Sequence, residues 1–381
     1  MNNTDSSVGP STFEATETAR EISINRFTRI DSIRGLAALA VAVGHSILAS
    51  PLAVGLLSVT IWNFSELTLI QKILRIFLVI FNGGAAVVCF FVISGFVLSG
   101  ALKRLYARKN SNWIIEFYKK RIYRIYPALI VGYIILGLYL DTSAAGLSQD
   151  MLLVTTIGNP VTWSLKVEIL MAFLLPLFFL LFRTKYKFLP IGTALIVFLL
   201  YKFNLDTLFS VIPMPKFIMG QFLYFIRISY YSLPFVIGMY GYEYYDHFKK
   251  YCGNKYLLLF GVLLLCLAEF LVGSDSYYAV FIQSFASLVV IVGCNESSAA
   301  SWLSLQPLVW LGKISYSFYL YHPIALYILI FTLFPRLGVQ YPLDHMLLNI
   351  PFITITGVGF AILLGWLSYK FVEQPFLMSK S

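Results

Sequence analysis

Long apolar runs alternate with short polar segments along nearly the whole chain. About twenty apolar residues in a helix, at 1.5 Å each, cross a hydrocarbon layer of about 30 Å. The pattern predicts an all-α, polytopic transmembrane helical bundle of about ten spans, at 35–55, 82–102, 122–140, 163–182, 188–203, 223–243, 256–272, 277–293, 314–334 and 347–371. The stretch 188–203 is short for a span. Residues 1–26 have no apolar periodicity and are rich in Ser, Thr, Asn and Glu, so a disordered cytoplasmic tail is expected there. The first span then reads as an uncleaved signal anchor, since the preceding segment is too long and polar for a signal peptide.

Composition removes the soluble alternatives. The chain is 59% hydrophobic and 12% charged, with a mean hydropathy of +0.79. The net charge of +10 is explained mostly by orientation, because Lys and Arg accumulate in cytoplasmic loops. Both termini are expected on the cytoplasmic side, which gathers Arg20, Arg26, Arg29 and Arg34, then eight cations between Lys103 and Arg124, then Lys249, Lys250 and Lys255. The loop from Asp141 to Thr162 carries two acids and no Lys or Arg, as an outer loop should. Only the Lys103 to Arg124 cluster asks for an anionic partner, and no nucleic acid is needed to account for it. The four cysteines show no CxxC pairing, so neither a disulfide nor a metal site is expected. No internal repeat of the kind common in transporters is visible.

Polar residues inside apolar runs are costly and mark candidate chemistry. Arg34 and His45 are separated by ten residues on the first span. Eleven helical steps come to roughly three turns, so both side chains share one face about 16 Å apart along the axis. A cation at the boundary and an imidazole at depth fit a reactant that enters from one side and reacts inside. An uncharged imidazole keeps a lone pair for taking a proton from a hydroxyl, while the structural alternative is a helix-packing histidine. Ser315, Tyr319 and His322 form a second stripe, and Pro323 leaves the Tyr319 carbonyl without its helical donor. That stripe is either a site wall or an ordinary helix interface with a tolerated kink. Ser164 and Glu168 lie four apart, so the hydroxyl is expected to hold the carboxylate, which then orients a histidine or an acceptor or serves as a structural ion-pair partner. Lys166 points to another face and is expected to snorkel outward. Arg121 and Arg124, three apart, can together hold phosphate oxygens such as those of a CoA-type donor, although positive-inside bias also places arginines here.

Six stretches in order carry a resemblance: Arg34-x10-His45, Phe90-Phe-Val-Ile-Ser94-Gly95-Phe96, Arg121-x-x-Arg124-Ile-Tyr-Pro127, Trp163-Ser-Leu-Lys-Val-Glu168, Tyr316-Ser-Phe-Tyr-Leu-Tyr-His322-Pro323 and Glu373-Gln-Pro375-Phe376. Together they resemble the acyltransferase 3 family of integral membrane acyltransferases. Lys166 is unusual within the tryptophan motif.

The resemblance implies a domain over 27–377, followed by a tail at 378–381, that moves an acyl group, most often acetyl, from cytoplasmic acyl-CoA to a hydroxyl of a glycan or other small acceptor. It implies acyl-CoA as a co-substrate, with no permanently bound cofactor and no metal. His45, Glu168 and His322 are the catalytic candidates, and Arg34, Arg121 and Arg124 the candidates for holding CoA. His45 would act as general base or as a covalent relay. Ser94-Gly95 would allow the close helix approach that a narrow channel needs. Some members carry a further soluble esterase-like domain; with this chain ending at Ser381, the acceptor is expected to meet the membrane domain directly. The expected setting is a bacterial inner membrane, and the modal acceptor a cell-surface or exported polysaccharide. The main rival is a proton-coupled transporter or flippase using His45, Glu168 and His322 as a relay; glycosyl transfer and a plain scaffold are the others.

Overall fold

The computed structural model describes residues 12–108, 111–140, 144–154, 156, 158–202, 229–274, 276–337 and 346–378. Among these, eight helices are long and apolar enough to cross a membrane. The longest is α1, Thr12–Leu48. It is followed by α2 (Leu69–Ile80), α3 (Gly83–Ala107), α4 (Trp113–Leu140) and α5 (Ala144–Met151). Next come α6 (Trp163–Leu181), α7 (Leu189–Lys202), α8 (Ser232–Glu243) and α9 (Tyr245–Cys252). Then come α10 (Lys255–Val272), α11 (Tyr277–Glu296), α12 (Gln306–Ile328) and α13 (Met346–Ser368). No strand occurs among the described residues.

All eight long helices fall on expected spans. The other two expected spans correspond to α7, 14 residues, and α8, 12 residues; the first part of 223–243 lies outside the described residues. The sequence reading differs from the structure at three other places. Helix α1 begins at Thr12, so the expected disordered tail is helical from that residue on, while residues 1–11 lie outside the description. Glu14, Ala15, Glu17, Ala19, Arg20 and Glu21 are good helix formers, which an apolar-periodicity criterion does not register. Helix α2 occupies what was expected to be a loop. A reciprocal Thr68–Gln71 capping box starts it, and its 12 residues alternate buried Leu74, Arg75 and Leu78 with exposed Leu69, Ile73, Ile76 and Ile80. Finally, α4 starts at Trp113, so Arg121 and Arg124 sit within a helix rather than at its mouth. The expected tail 378–381 lies outside the description except for Met378, the last residue of a short helix.

Helix α1 is clasped between α12 and α3; α12 packs in turn on α13, and α3 on α8 and α11. This arrangement buries the Ser315, Tyr319 and His322 stripe and half-buries Arg34 and His45. Helix α10 packs on α11 at the periphery and leaves Leu259, Phe260 and Leu263 exposed, as lipid-facing positions should be. The α3–α8 crossing depends on Gly95, where any Cβ would overlap the backbone of Phe235. Helices α12 and α13 each run on into a π turn, Leu329–Leu333 and Tyr369–Glu373, the second of which carries Glu373.

Candidate active site

His45 and His322 meet at the α1–α12 interface, with His45 Nδ1 2.8 Å from His322 Nε2. His322 is fully buried and its Nδ1 lies 2.5 Å from the Tyr319 carbonyl. Pro323 lacks the amide that would normally serve that carbonyl, and the histidine takes its place. The carbonyl only accepts, so His322 Nδ1 carries the hydrogen and, in the neutral ring, Nε2 accepts. His45 Nδ1 must then donate, which leaves the lone pair of His45 on Nε2. A proline-freed carbonyl on α12 thereby sets the tautomer of a ring on α1.

His45 lines a cavity of about 230 Å³ together with Trp163, Tyr319, Asn82, Gly84 and Glu269. A second cavity is lined by Arg34, Arg121, Arg124, Glu168, Ser164 and Ser315. Val87 and Tyr319 belong to the walls of both. The basic cluster and the imidazole therefore occupy adjoining chambers, as the shared face of Arg34 and His45 predicts. Tyr319 spans the boundary. Its carbonyl serves His322, while its hydroxyl donates to Ser164 Oγ at 3.0 Å and has the Val161 carbonyl 3.2 Å away.

Two of the three arginines are held by acids from other helices. Arg121 pairs with Glu168 across α4 and α6. Arg124 Nη1 lies 3.3 Å from Glu373 Oε1, and Ser317 donates to the other oxygen of that fully buried carboxylate. Arg34 lies 3.6 Å from Asp31, one turn earlier on its own helix. Tyr316 and Tyr321 donate to the Ile125 and Ala128 carbonyls, which fixes α12 against the turn that presents Arg124. Two buried donors on the basic cavity wall, Arg121 Nε and Ser315 Oγ, have no hydrogen-bond partner among the described residues. Such donors are the feature an anionic or carbonyl ligand completes.

One sequence expectation is overturned. Ser164 does not hold Glu168: its hydroxyl donates to the Val161 carbonyl at 2.9 Å, and the carboxylate goes to Arg121 instead. A full guanidinium charge outcompetes a hydroxyl for the same acid. Lys166 does turn away from the site, with Nζ donating to the Val154 carbonyl. Two acids had no assigned role in the sequence. In the sequence Glu373 is visible only as part of a terminal motif, and Glu269 only as an acid inside the apolar run Leu263-Leu-Leu-Cys-Leu-Ala-Glu269, which is itself a signal.

Comparison with known proteins gives the family of the chain. The acyltransferase 3 family model, described as an acyltransferase domain, matches residues 27–369. Curated relatives include the O-acetyltransferase OatA of Staphylococcus aureus strains NCTC 8325 / PS 47 and COL, each 25% identical over 339 residues, covering 77% of this chain and 52% of the relative. The chain thus spans about half the length of the curated relatives it matches. No solved structure matches. Residues 27–369 contain both chambers, and the chain belongs to the acyltransferase 3 family of integral membrane acyltransferases.

Proposed function

We propose that the protein transfers an acyl group, most simply acetyl, from cytoplasmic acyl-CoA to a hydroxyl of a cell-surface or exported glycan, at a bacterial inner membrane. The observation that carries this reading is the junction of the two chambers at Val87 and Tyr319, with three arginines on one side and the His45 Nε2 lone pair on the other. Phosphates of the donor would dock against Arg34, Arg121 and Arg124, with Arg121 Nε and Ser315 Oγ as further donors. The extended thiol arm would pass Tyr319 toward His45, a distance of about 16 Å along α1.

His45 Nε2 takes the proton of the acceptor hydroxyl as its oxygen attacks the thioester carbonyl. The C–O ester bond forms, the C–S bond breaks, and the imidazolium returns the proton to the departing CoA sulfur. His322 holds the ring in the tautomer that permits this. Glu168 acts by holding Arg121, a different role from direct proton transfer. The name of the relatives, O-acetyltransferase, favours acetyl as the group moved. The transporter reading accounts for the buried histidines but gives three arginines on a common cavity wall nothing to bind.

The test is release of free thiol from acetyl-CoA by the purified protein, alongside ester-linked acetyl on glycans of cells with and without the gene. Both activities present in the wild type and lost in His45→Ala support the reading. A folded His45→Ala protein that keeps both sinks it.

A further inference from the structure

An apolar cavity of about 340 Å³ lies between α1, α2 and α13, beside the one that holds His45. Val43 and Ile47 of α1 line the apolar cavity, while Gly44, His45 and Leu48 of the same helix line the other. Among the described residues, Phe81 alone belongs to the walls of both. Gly44 has no side chain to divide them, so at that level the partition depends on Phe81. The main chain of Phe81 is held from both sides. Its amide donates to the Phe77 carbonyl at 2.8 Å, and its carbonyl packs 3.0 Å from where a Cβ on Gly44 would stand. The next residue, Asn82, accepts from the Ala85 amide at 2.9 Å and donates to the Cys266 carbonyl at 3.3 Å, which fixes the start of α3 against α10. On the far side of the apolar cavity, Ser46 Oγ donates to Thr354 Oγ1 at 3.0 Å and sets the spacing of α1 and α13.

In the proposed reaction the thiol arm approaches from the Arg34 end of α1 with its thioester leading. The acyl chain is then the part of the donor that reaches farthest past His45. Beyond His45 the cavity is closed by Leu48, Leu57, Leu78 and Phe81, all apolar. An acetyl group asks room for one methyl, whereas every added methylene has to advance toward that closed end. An apolar cavity of about 150 Å³ is enough to take up benzene, so the neighbouring cavity has space for an alkyl tail. Phe81 stands between the two. We infer that Phe81 is the residue that sets the length of the acyl group: it shuts the apolar cavity off from the reacting centre, so that acetyl is accepted and longer chains are refused. This rests on the His45 acyl-transfer reading and adds to it the selection of the donor's chain.

The experiment measures thiol release from acetyl-CoA and from hexanoyl-CoA, each below saturation, by the purified full chain as wild type, Phe81→Ala, Phe81→Leu, Leu57→Ala and His45→Ala. The wild type should favour acetyl by about tenfold or more, and Phe81→Ala should move the ratio toward hexanoyl by about tenfold or more, since one methylene in an apolar pocket is worth about 10- to 200-fold. Phe81→Leu disturbs folding less and should shift the ratio in the same direction by about threefold or more. Leu57 lines the His45 cavity alone, so Leu57→Ala enlarges that cavity without joining it to the other and should leave the ratio near the wild-type value. A merely structural phenylalanine would lower both rates in step and leave the ratio unchanged in both Phe81 variants, which overturns the inference. A wild type that uses hexanoyl-CoA as readily as acetyl-CoA, or a Leu57→Ala shift as large as that of Phe81→Ala, overturns it equally. Should His45→Ala retain thiol release, the acyl-transfer reading itself fails, a result separable from the others.

Discussion

His322 Nε2 faces His45 Nδ1 at 2.8 Å across the α1–α12 interface, and the Tyr319 carbonyl behind His322 leaves that pair only one neutral arrangement of hydrogens. The free lone pair on His45 is thus fixed by a residue 277 positions away.

Removing His45 should lower turnover by about 10²- to 10⁴-fold, the usual contribution of a positioned base. His322→Ala, which leaves His45 present but unoriented, should cost about 10- to 100-fold. Because the rings act as a unit, the double variant should be no slower than His45→Ala alone. Thiol release from acetyl-CoA, measured beside circular dichroism of the same preparations, checks all three.

The Arg124–Glu373 pair makes a different forecast. Glu373 is fully buried, so Arg124→Ala strands a carboxylate and should destabilise the protein by about 3 kcal/mol or more. Arg124→Ala combined with Glu373→Gln removes the stranded charge and should recover part of that loss. Thermal unfolding in detergent distinguishes the outcomes; equal melting of the single and double variants would show that the pair carries no such coupling.

If Glu168 serves to hold Arg121, then Glu168→Gln should raise the KM for acetyl-CoA by about tenfold while kcat changes little, the loss expected for one charge-assisted hydrogen bond. A kcat loss with unchanged KM would instead make the carboxylate a participant in proton transfer.

Gly95→Ala places a methyl group into the Phe235 backbone and must push α3 from α8. Overpacking of this kind costs about 1–3 kcal/mol, so the variant should accumulate to lower levels and melt earlier. Full accumulation and wild-type melting would show that the crossing relaxes freely.

Basic residues between Lys103 and Arg124 and around Lys249 predict both termini on the cytoplasmic side. A C-terminal fluorescent fusion should therefore glow, and a C-terminal alkaline phosphatase fusion should stay inactive; the reverse pattern would invert the topology.

Hydropathy and helical period are local properties, and they determined the helical class, the course of the long spans and the common face of Arg34 and His45. The loss of the Tyr319 carbonyl's partner at Pro323 was equally local, and so was legible. Partner choice was not. Most spans here are apolar around their whole circumference, so no polar face announces which neighbour each will meet, and small residues such as Gly95 set the crossings instead. Only the folded bundle could place His45 on His322, give Glu168 to Arg121 rather than Ser164, bury Glu373 beside Arg124 and turn Glu269 toward the histidine cavity. Each of those contacts joins helices far apart in the chain, and such pairings are fixed by how surfaces fit together, which no single segment encodes.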